Sequence, residues 1–203
     1  MSKSTPSAAV PVKSARSMTT KALACCALLA ALSVVFARLI VPMPNATTRF
    51  SIEAVPIFLS GALFGPLAGG LVGFTADLVG CLFSGYGYNP IFCIPPILYG
   101  VCAGLFRPWL AKKVSVPRLA LAFLPAILLG SILYQSFSLA LIYADPDARM
   151  AFFLTKLTAR SIQFAITWVI DVVLCQLLFR SRVFDRAGIW PPKARQEGGS
   201  GNV

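Results

Sequence analysis

The sequence contains no histidine and little charge. Histidine is the commonest metal ligand and proton shuttle near neutral pH, so its absence argues against both roles. Charged residues make up 12% of the 203 residues, about half of the soluble norm of about 25%. Hydrophobic residues make up 57%, and the mean hydropathy is +0.78. The chain is too apolar for a water-soluble domain, and we expect a membrane protein.

Patterns that would indicate an enzyme or a metal site are also missing. The sequence has no paired-carboxylate arrangement, no Ser-His dyad and no GxxxxGK[ST] motif, so we expect neither an enzyme nor an ATPase with its own Walker site. Its six cysteines form no CxxC or zinc-type spacing. Most lie within apolar runs, where cysteine acts as a small hydrophobe. We therefore expect no metal and no cofactor.

Acidic residues are few, 7 against 18 lysines and arginines, which gives a net charge of +11. Such an excess could indicate nucleic-acid binding, but the basic residues do not form one face or stripe. They cluster at the ends of apolar runs, near residues 3–21, 107–118 and 180–195. This is the positive-inside pattern, and it places all three clusters and both termini in the cytoplasm.

Six apolar runs account for most of the chain, and a spanning helix needs about 20 residues. The runs are 18–41, 51–64, 66–83, 91–110, 118–143 and 150–179. We predict an all-α membrane protein, a six-transmembrane-helix bundle with both termini cytoplasmic. Residues 18–182 form this single domain, 1–17 a disordered cytoplasmic tail and 183–203 a flexible cytoplasmic tail.

One carboxylate, Asp77, lies inside an apolar run that is studded with glycine. A charge at the bilayer centre costs roughly 2.5–3.5 kcal/mol on translocon scales, so such a group faces protein or a polar cavity. The glycines nearby are Gly65, Gly69, Gly73 and Gly80. Residues four apart share a helix face, and small residues there let helices approach closely. Asp77 continues this face from Gly73 and should point into the bundle. It either contacts a polar ligand or only pins helices together.

Basic side chains also lie near the predicted outer face, where orientation rules disfavour them. They are Arg38, Arg49, Lys156 and Arg160. Either they extend to anionic lipid, or they attract an anionic ligand. Arg160 is the best single candidate, since its planar fork suits a carboxylate bidentately.

Aromatic residues gather around the loop that follows the third run. Tyr86, Tyr88, Phe92 and Tyr99 cluster there with Asn89. The mixture suits a binding site for a flat ring, with aromatic faces and a few orienting polar groups. The alternative is an ordinary belt of interfacial tyrosines.

Other features indicate contacts between helices. Ala27 and Ala31 form a flat small-residue surface that suits docking of another helix, either from this chain or from another protein. Gln135 and Asp171 are expected to join helices through hydrogen bonds, and Asp171 is a candidate to pair with a cytoplasmic-side arginine.

Several segments carry a resemblance in combination. They are Phe64-Gly65-Pro66, Ala76-Asp77-Leu78-Val79-Gly80, Gly85-Tyr86, Tyr88-Asn89-Pro90 and Tyr99-Gly100. Over about residues 27–179 the chain resembles the S components of energy-coupling factor (ECF) vitamin transporters, closest to the folate type. The resemblance implies a six-helix subunit that binds a vitamin from outside. It also implies a transmembrane coupling protein and two cytoplasmic ATPases as partners, with Ala27 and Ala31 docking the coupling protein.

Two departures leave the ligand open. Ile91-Phe92-Cys93 stands where the folate type usually has Gly-Phe-Thr, and Glu53 stands where it usually has glycine. The alternatives are an S component for another vitamin or a queuosine precursor, and a membrane scaffold without a ligand.

We predict a bacterial cell-membrane protein that captures a vitamin, first of all folate, for ATP-driven uptake. The predicted ligand-binding residues are Arg38, Arg49, Asp77, Tyr86, Tyr88, Asn89 and Arg160. The arginines would pair with carboxylate, Asp77 or Asn89 would orient ring nitrogens, and the tyrosines would stack.

Overall fold

The computed structural model describes residues 19–38, 41–42, 49–50, 52–84, 89–181, 183–186 and 188–190. Nine α-helices lie within these residues. They are α1 (Thr20–Arg38), α2 (Ala54–Phe64), α3 (Pro66–Ser84), α4 (Ile94–Leu105), α5 (Arg107–Lys112), α6 (Val116–Pro125), α7 (Gln135–Tyr143), α8 (Arg149–Arg180) and α9 (Val183–Arg186). The predicted N-terminal tail lies outside the described residues.

Shorter elements connect these helices. Strands β1 (Val41–Pro42) and β2 (Arg49–Phe50) pair antiparallel between α1 and α2. A 3₁₀ turn, Pro90–Cys93, precedes α4, another, Pro146–Ala148, precedes α8, and a π-helix, Ala126–Tyr134, joins α6 to α7. Apart from the strand pair, the regular structure of the described residues is helical, as the sequence predicts.

Four helical segments are long and apolar enough to cross a membrane. They are Thr20–Ala37, Pro66–Phe83, Val116–Tyr143 and Pro146–Arg180. Two further apolar segments, Ala54–Phe64 and Pro90–Leu105, are shorter. Each of the six predicted runs therefore corresponds to an apolar helical segment, and many leucines face outward from them, as expected of helices surrounded by lipid.

Glycines bring α2, α3 and α4 into direct backbone contact. A Cβ on Gly69 would lie 2.6 Å from the Cα of Gly61 and 2.7 Å from the carbonyl carbon of Gly100. A Cβ on Gly73 would collide with the carbonyl group of Pro96. The predicted small-residue packing is thus confirmed at Gly69 and Gly73. It is wrong for Gly80, where an added Cβ would meet nothing within 4 Å.

The turn between α2 and α3 has the predicted chemistry. Gly65 has φ +104°, a left-handed conformation that glycine adopts without the strain of a side chain. Pro66 then begins α3, where a missing backbone N–H costs nothing.

The centre of the bundle is aromatic. Phe58 on α2 and Phe123 on α6 are fully buried and stack with their ring centroids 3.7 Å apart. Tyr99 on α4 meets the Phe123 ring edge-on at 6.3 Å. Three helices therefore share one buried cluster, and the hydroxyl of Tyr99 joins it to Ser131 of the π-helix.

The chain folds back at the end of α8. Phe179 meets the rings of Phe184 and Trp190 at centroid distances of 5.5 and 5.3 Å, and both of these side chains pack against the core. The first residues of the segment predicted as a tail therefore contact the bundle.

Candidate functional site

Arg160 lies on α8, half-buried, and faces the π-helix. Its Nη1 donates to the side-chain oxygen of Gln135 at 2.9 Å and to the backbone carbonyl of Ser131 at 3.4 Å. Its guanidinium carbon lies 6.0 Å from the centroid of the Phe164 ring. A guanidinium has five N–H donors, and both of its hydrogen bonds within the described residues use the same nitrogen. The remaining donors can serve an anion.

Ser131 connects this arginine to the aromatic cluster. Its hydroxyl is 3.0 Å from the hydroxyl of Tyr99, which is only 6% exposed. Its carbonyl accepts from Arg160, so one residue of the π-helix joins α4 to α8. π-helices are rare and frequently mark functional sites. The sequence offered no signal for Ser131, because one serine in an apolar run does not reveal what it faces.

Asp77 is half-buried on α3, and its carboxylate is hydrogen-bonded to the thiol of Cys93. Its Oδ2 atom is buried and has no hydrogen-bond partner within the part of the chain that the structure describes. A thiol is a weak donor, so the carboxylate retains capacity to accept stronger hydrogen bonds. Cys93 is one of the positions at which the sequence departs from the folate-type pattern.

Asn89 begins the 3₁₀ turn that carries Cys93. Its side-chain oxygen accepts from the backbone N–H of Ile91 at 3.1 Å, as an N-cap does. The turn packs against α3 and α7, and Gln135, which binds Arg160, is the first residue of α7. Asp77 and Asn89 therefore adjoin the Pro90–Cys93 turn, and Arg160 contacts the first residue of a helix that packs against this turn.

A second buried carboxylate lies deeper along α8. Asp171 is 1% exposed, and its Oδ1 has no hydrogen-bond partner among the described residues. The sequence made an arginine the candidate partner of Asp171, but the structure brings another acid, Glu53, near enough to interact with it electrostatically. Glu53 precedes α2, and its carbonyl accepts from the hydroxyl of Ser33 on α1 at 2.9 Å. Spacing along one helix could not predict this approach of α2 to α8.

The remaining predicted site residues are only partly described. Arg38 is the last residue of α1, and Arg49 lies in β2 opposite Pro42; their side chains lie outside the description. Tyr86 and Tyr88 lie outside the described residues. The strand pair that holds Arg49 falls between α1 and α2, on the side of the bundle where α2 begins.

Ala27 and Ala31 face outward. The opposite side of α1, with Cys26, Ala30 and Ser33, packs against the bundle and is buried. Ala27 and Ala31 are exposed, so this small-residue face is available to another helix.

Comparison with known proteins gives consistent results. The family model described as "ECF-type riboflavin transporter, S component" matches residues 17–180. A protein named folate transporter FolT, from Clostridium novyi (strain NT), is 30% identical over 156 residues, which are 76% of this chain and 88% of the relative. A crystal structure of FolT bound with folic acid is similar with a TM-score of 0.63 and 29% identity, over 79% of this chain and 93% of the solved one.

Proposed function

Because the chain belongs to the family of ECF-type riboflavin transporter S components, we propose that it is a membrane subunit that captures a folate from outside the cell. The family match confirms the resemblance drawn from the sequence. The two relatives reported above carry the name of a folate transporter, and one was solved with folic acid bound. An S component binds and delivers a vitamin and needs no catalytic residues of its own.

The choice of folate rests on the hydrogen bonds that Arg160 makes. Within the described residues, its guanidinium is held in place by Gln135 and Ser131 through one nitrogen only. Folates end in a glutamate, whose carboxylates match the free side of such a fork. Riboflavin, the vitamin in the family's description, has no carboxylate and would leave these donors without an ionic partner.

Asp77 supplies the complementary chemistry. The pterin ring of folate carries several N–H donors along one edge. A buried carboxylate oxygen that has no partner among the described residues can accept from them. Cys93 occupies the other side of this carboxylate without satisfying it strongly. We propose that Asp77 orients the pterin and that Arg160 holds the glutamate.

The other proposed ligand contacts complete the pocket. They are Arg38, Arg49, Tyr86, Tyr88 and Asn89. In this proposal the two arginines add positive charge around the carboxylates, and the tyrosines stack on the ring. Asn89 fixes the turn that presents Cys93 to Asp77, so its substitution should disturb the ring end of the site.

We further propose that all six apolar segments are membrane spans, with both termini cytoplasmic, in a multi-pass protein of the bacterial cell membrane. The three basic clusters support this orientation. A reporter fused after residue 203 tests it: green fluorescent protein should fluoresce there and alkaline phosphatase should be inactive. The reverse result would place the C-terminus outside.

The proposed partners are a transmembrane coupling protein and two cytoplasmic ATPases. The exposed Ala27 and Ala31 face of α1 supports docking of a partner helix, because small side chains allow close approach. Since the chain has no Walker motif, ATP hydrolysis in this scheme belongs to the partners.

Ligand binding is tested with the full chain purified in detergent. Folic acid, riboflavin, other vitamins and a queuosine precursor are compared by thermal unfolding and calorimetric titration. A ligand at a hundredfold excess over its Kd should stabilise the protein by about 2.7 kcal/mol. We expect a shift with folic acid and none with riboflavin. A shift with another compound alone would keep the family and overturn folate, and no shift in folded protein would favour a scaffold.

Arg160→Gln tests the residue that carries the proposal. Losing one hydrogen bond to a charged group costs about 1.5–3 kcal/mol, so the Kd for folic acid should rise about 10- to 150-fold. The matched control is Arg149→Gln, the same change at an exposed position of the same helix, which should leave the Kd unchanged. Equal affinity in both variants would remove Arg160 from the site.

A further inference from the structure

An apolar groove lies on the outside of the bundle, separate from the region around Arg160. It has a volume of about 660 Å³ and is lined by Phe106, Trp109, Leu121, Leu124, Pro125 and the pair Leu128 and Leu129. It therefore follows α6 into the π-helix and is closed at one end by α5. Leu128 and Leu129 are exposed, whereas Ser131 on the same π-helix is buried. The groove and the candidate vitamin site thus use opposite faces of this segment.

Positive charge gathers at the Trp109 end of the groove. The guanidinium carbon of Arg118 lies 5.3 Å from the centroid of the Trp109 ring. Its Nη1 donates to the carbonyls of Trp109 at 3.2 Å and Lys113 at 3.1 Å. Lys112 and Lys113 are themselves exposed at the end of α5. The sequence has no acidic residue between Asp77 and Asp145. Helices α5 and α6 therefore supply no negative charge that would neutralise Lys112, Lys113 and Arg118.

The groove is thus apolar along its length and cationic at one end. From Arg118 to Leu129 the chain advances 11 residues, about 16 Å at the helical rise, which is long enough for much of an acyl chain. An extended peptide would leave most of its backbone polar groups unpaired here, since the lining is apolar except for the indole N–H of Trp109. An amphiphile with an anionic head has the complementary pattern.

We propose that this groove binds an anionic phospholipid. Its acyl chain lies along Leu121, Leu124 and Leu128. Its phosphate contacts Lys112, Lys113 and the N–H groups of Arg118 that bind neither Trp109 nor Lys113. Basic pockets between membrane helices recognise anionic head groups in this way. The site does not depend on the identity of the vitamin or on the orientation of the chain in the membrane.

The test compares phosphatidylglycerol with phosphatidylcholine of identical acyl chains. The full chain is purified in neutral detergent, and retained lipid is counted by native mass spectrometry while the Tm is measured. We expect phosphatidylglycerol to be retained and to raise the Tm, and phosphatidylcholine to do neither. In the variant with both Lys112→Gln and Lys113→Gln, affinity for phosphatidylglycerol should fall roughly 30-fold, at about 1 kcal/mol for each lysine.

A second variant fills the groove. Leu124→Trp should abolish retention of phosphatidylglycerol, whereas the matched Leu141→Trp, on the exposed face of α7, should not. A variant is folded if the vitamin ligand raises its Tm as much as it raises that of the parent protein. A Tm equal to that of the parent without the ligand shows the same.

Three outcomes would overturn the proposal. Equal retention of the two lipids would show that the head group is not recognised. Retention that survives both the lysine changes and Leu124→Trp would place the lipid elsewhere. If neither lipid is retained and Leu124→Trp instead prevents assembly with the coupling protein, the groove is a protein-docking surface.

Discussion

Replacing Gly69 by alanine tests how closely α3 packs against its neighbours. The new Cβ would lie 2.6 Å from the Cα of Gly61 and 2.7 Å from the carbonyl carbon of Gly100. Both contacts are to backbone atoms, so no side chain can rotate away and the helices must separate. Overpacking costs typically 1–3 kcal/mol, and contacts this short belong at the upper end. Alanine recovers up to about 1 kcal/mol of helix propensity, which leaves a net loss of about 2 kcal/mol.

Gly80→Ala on the same helix is the matched control. Its Cβ would meet nothing within 4 Å, so the change should stabilise the protein by up to about 1 kcal/mol. For a chain of this size 1 kcal/mol corresponds to about 2–4 °C in Tm. Thermal unfolding in detergent should therefore show Gly69→Ala about 4–8 °C below the parent and Gly80→Ala at or above it. Equal shifts of the same sign would refute the backbone contact.

Three further substitutions test the core, the site and the docking surface. Phe58→Ala removes a fully buried ring stacked on Phe123 and should destabilise the protein by about 3–5 kcal/mol in denaturant unfolding, since it leaves a cavity; a loss below 1 kcal/mol would contradict the stacking. Tyr99→Phe leaves the Ser131 hydroxyl without its buried partner and should cost about 1–3 kcal/mol of stability, whereas an unchanged Tm would mean that this hydrogen bond is absent. Ala31→Trp should prevent capture of the coupling protein while leaving the Kd for folic acid unchanged, and equal loss of both would show that the variant disturbs the bundle instead.

The membrane architecture could be predicted largely from composition and runs. A lipid environment requires long apolar segments that satisfy their own backbone hydrogen bonds, so the helices follow directly from the sequence. The Gly65-Pro66 turn was predictable for a local reason, because both residues determine backbone geometry at their own positions. Asp77 was identifiable because a carboxylate in an apolar run needs an explanation.

The partners of the polar residues could not be predicted in the same way. Arg160 was identified by its type and position, but its contacts with Ser131 and Gln135 depend on how the π-helix packs against α8. The sequence gives no sign of that π-helix, since its residues also suit an α-helix. The neighbourhood of Asp171 and Glu53 likewise arises from the approach of two distant helices, and our expectation of an arginine there came from sequence position alone.

Two residues that depart from the folate-type pattern, Cys93 and Glu53, lie near buried carboxylates in the structure. Cys93 lies against the carboxylate of Asp77, and Glu53 acts on Asp171. Both changes therefore lie near acidic groups inside the bundle.

The shortness of α2 has a consequence for how the protein is made. Its 11 residues extend about 16 Å, roughly half of a hydrocarbon layer of about 30 Å. A translocon that samples segments one at a time would not retain so short a helix by itself. Together with α3, to which the Gly65-Pro66 turn joins it, it can enter as a hairpin, and its close contacts with α4 then form within the bilayer. In the six-span arrangement proposed above, biogenesis of this chain should therefore include a late step, after synthesis of α4, at which α2 reaches its final depth.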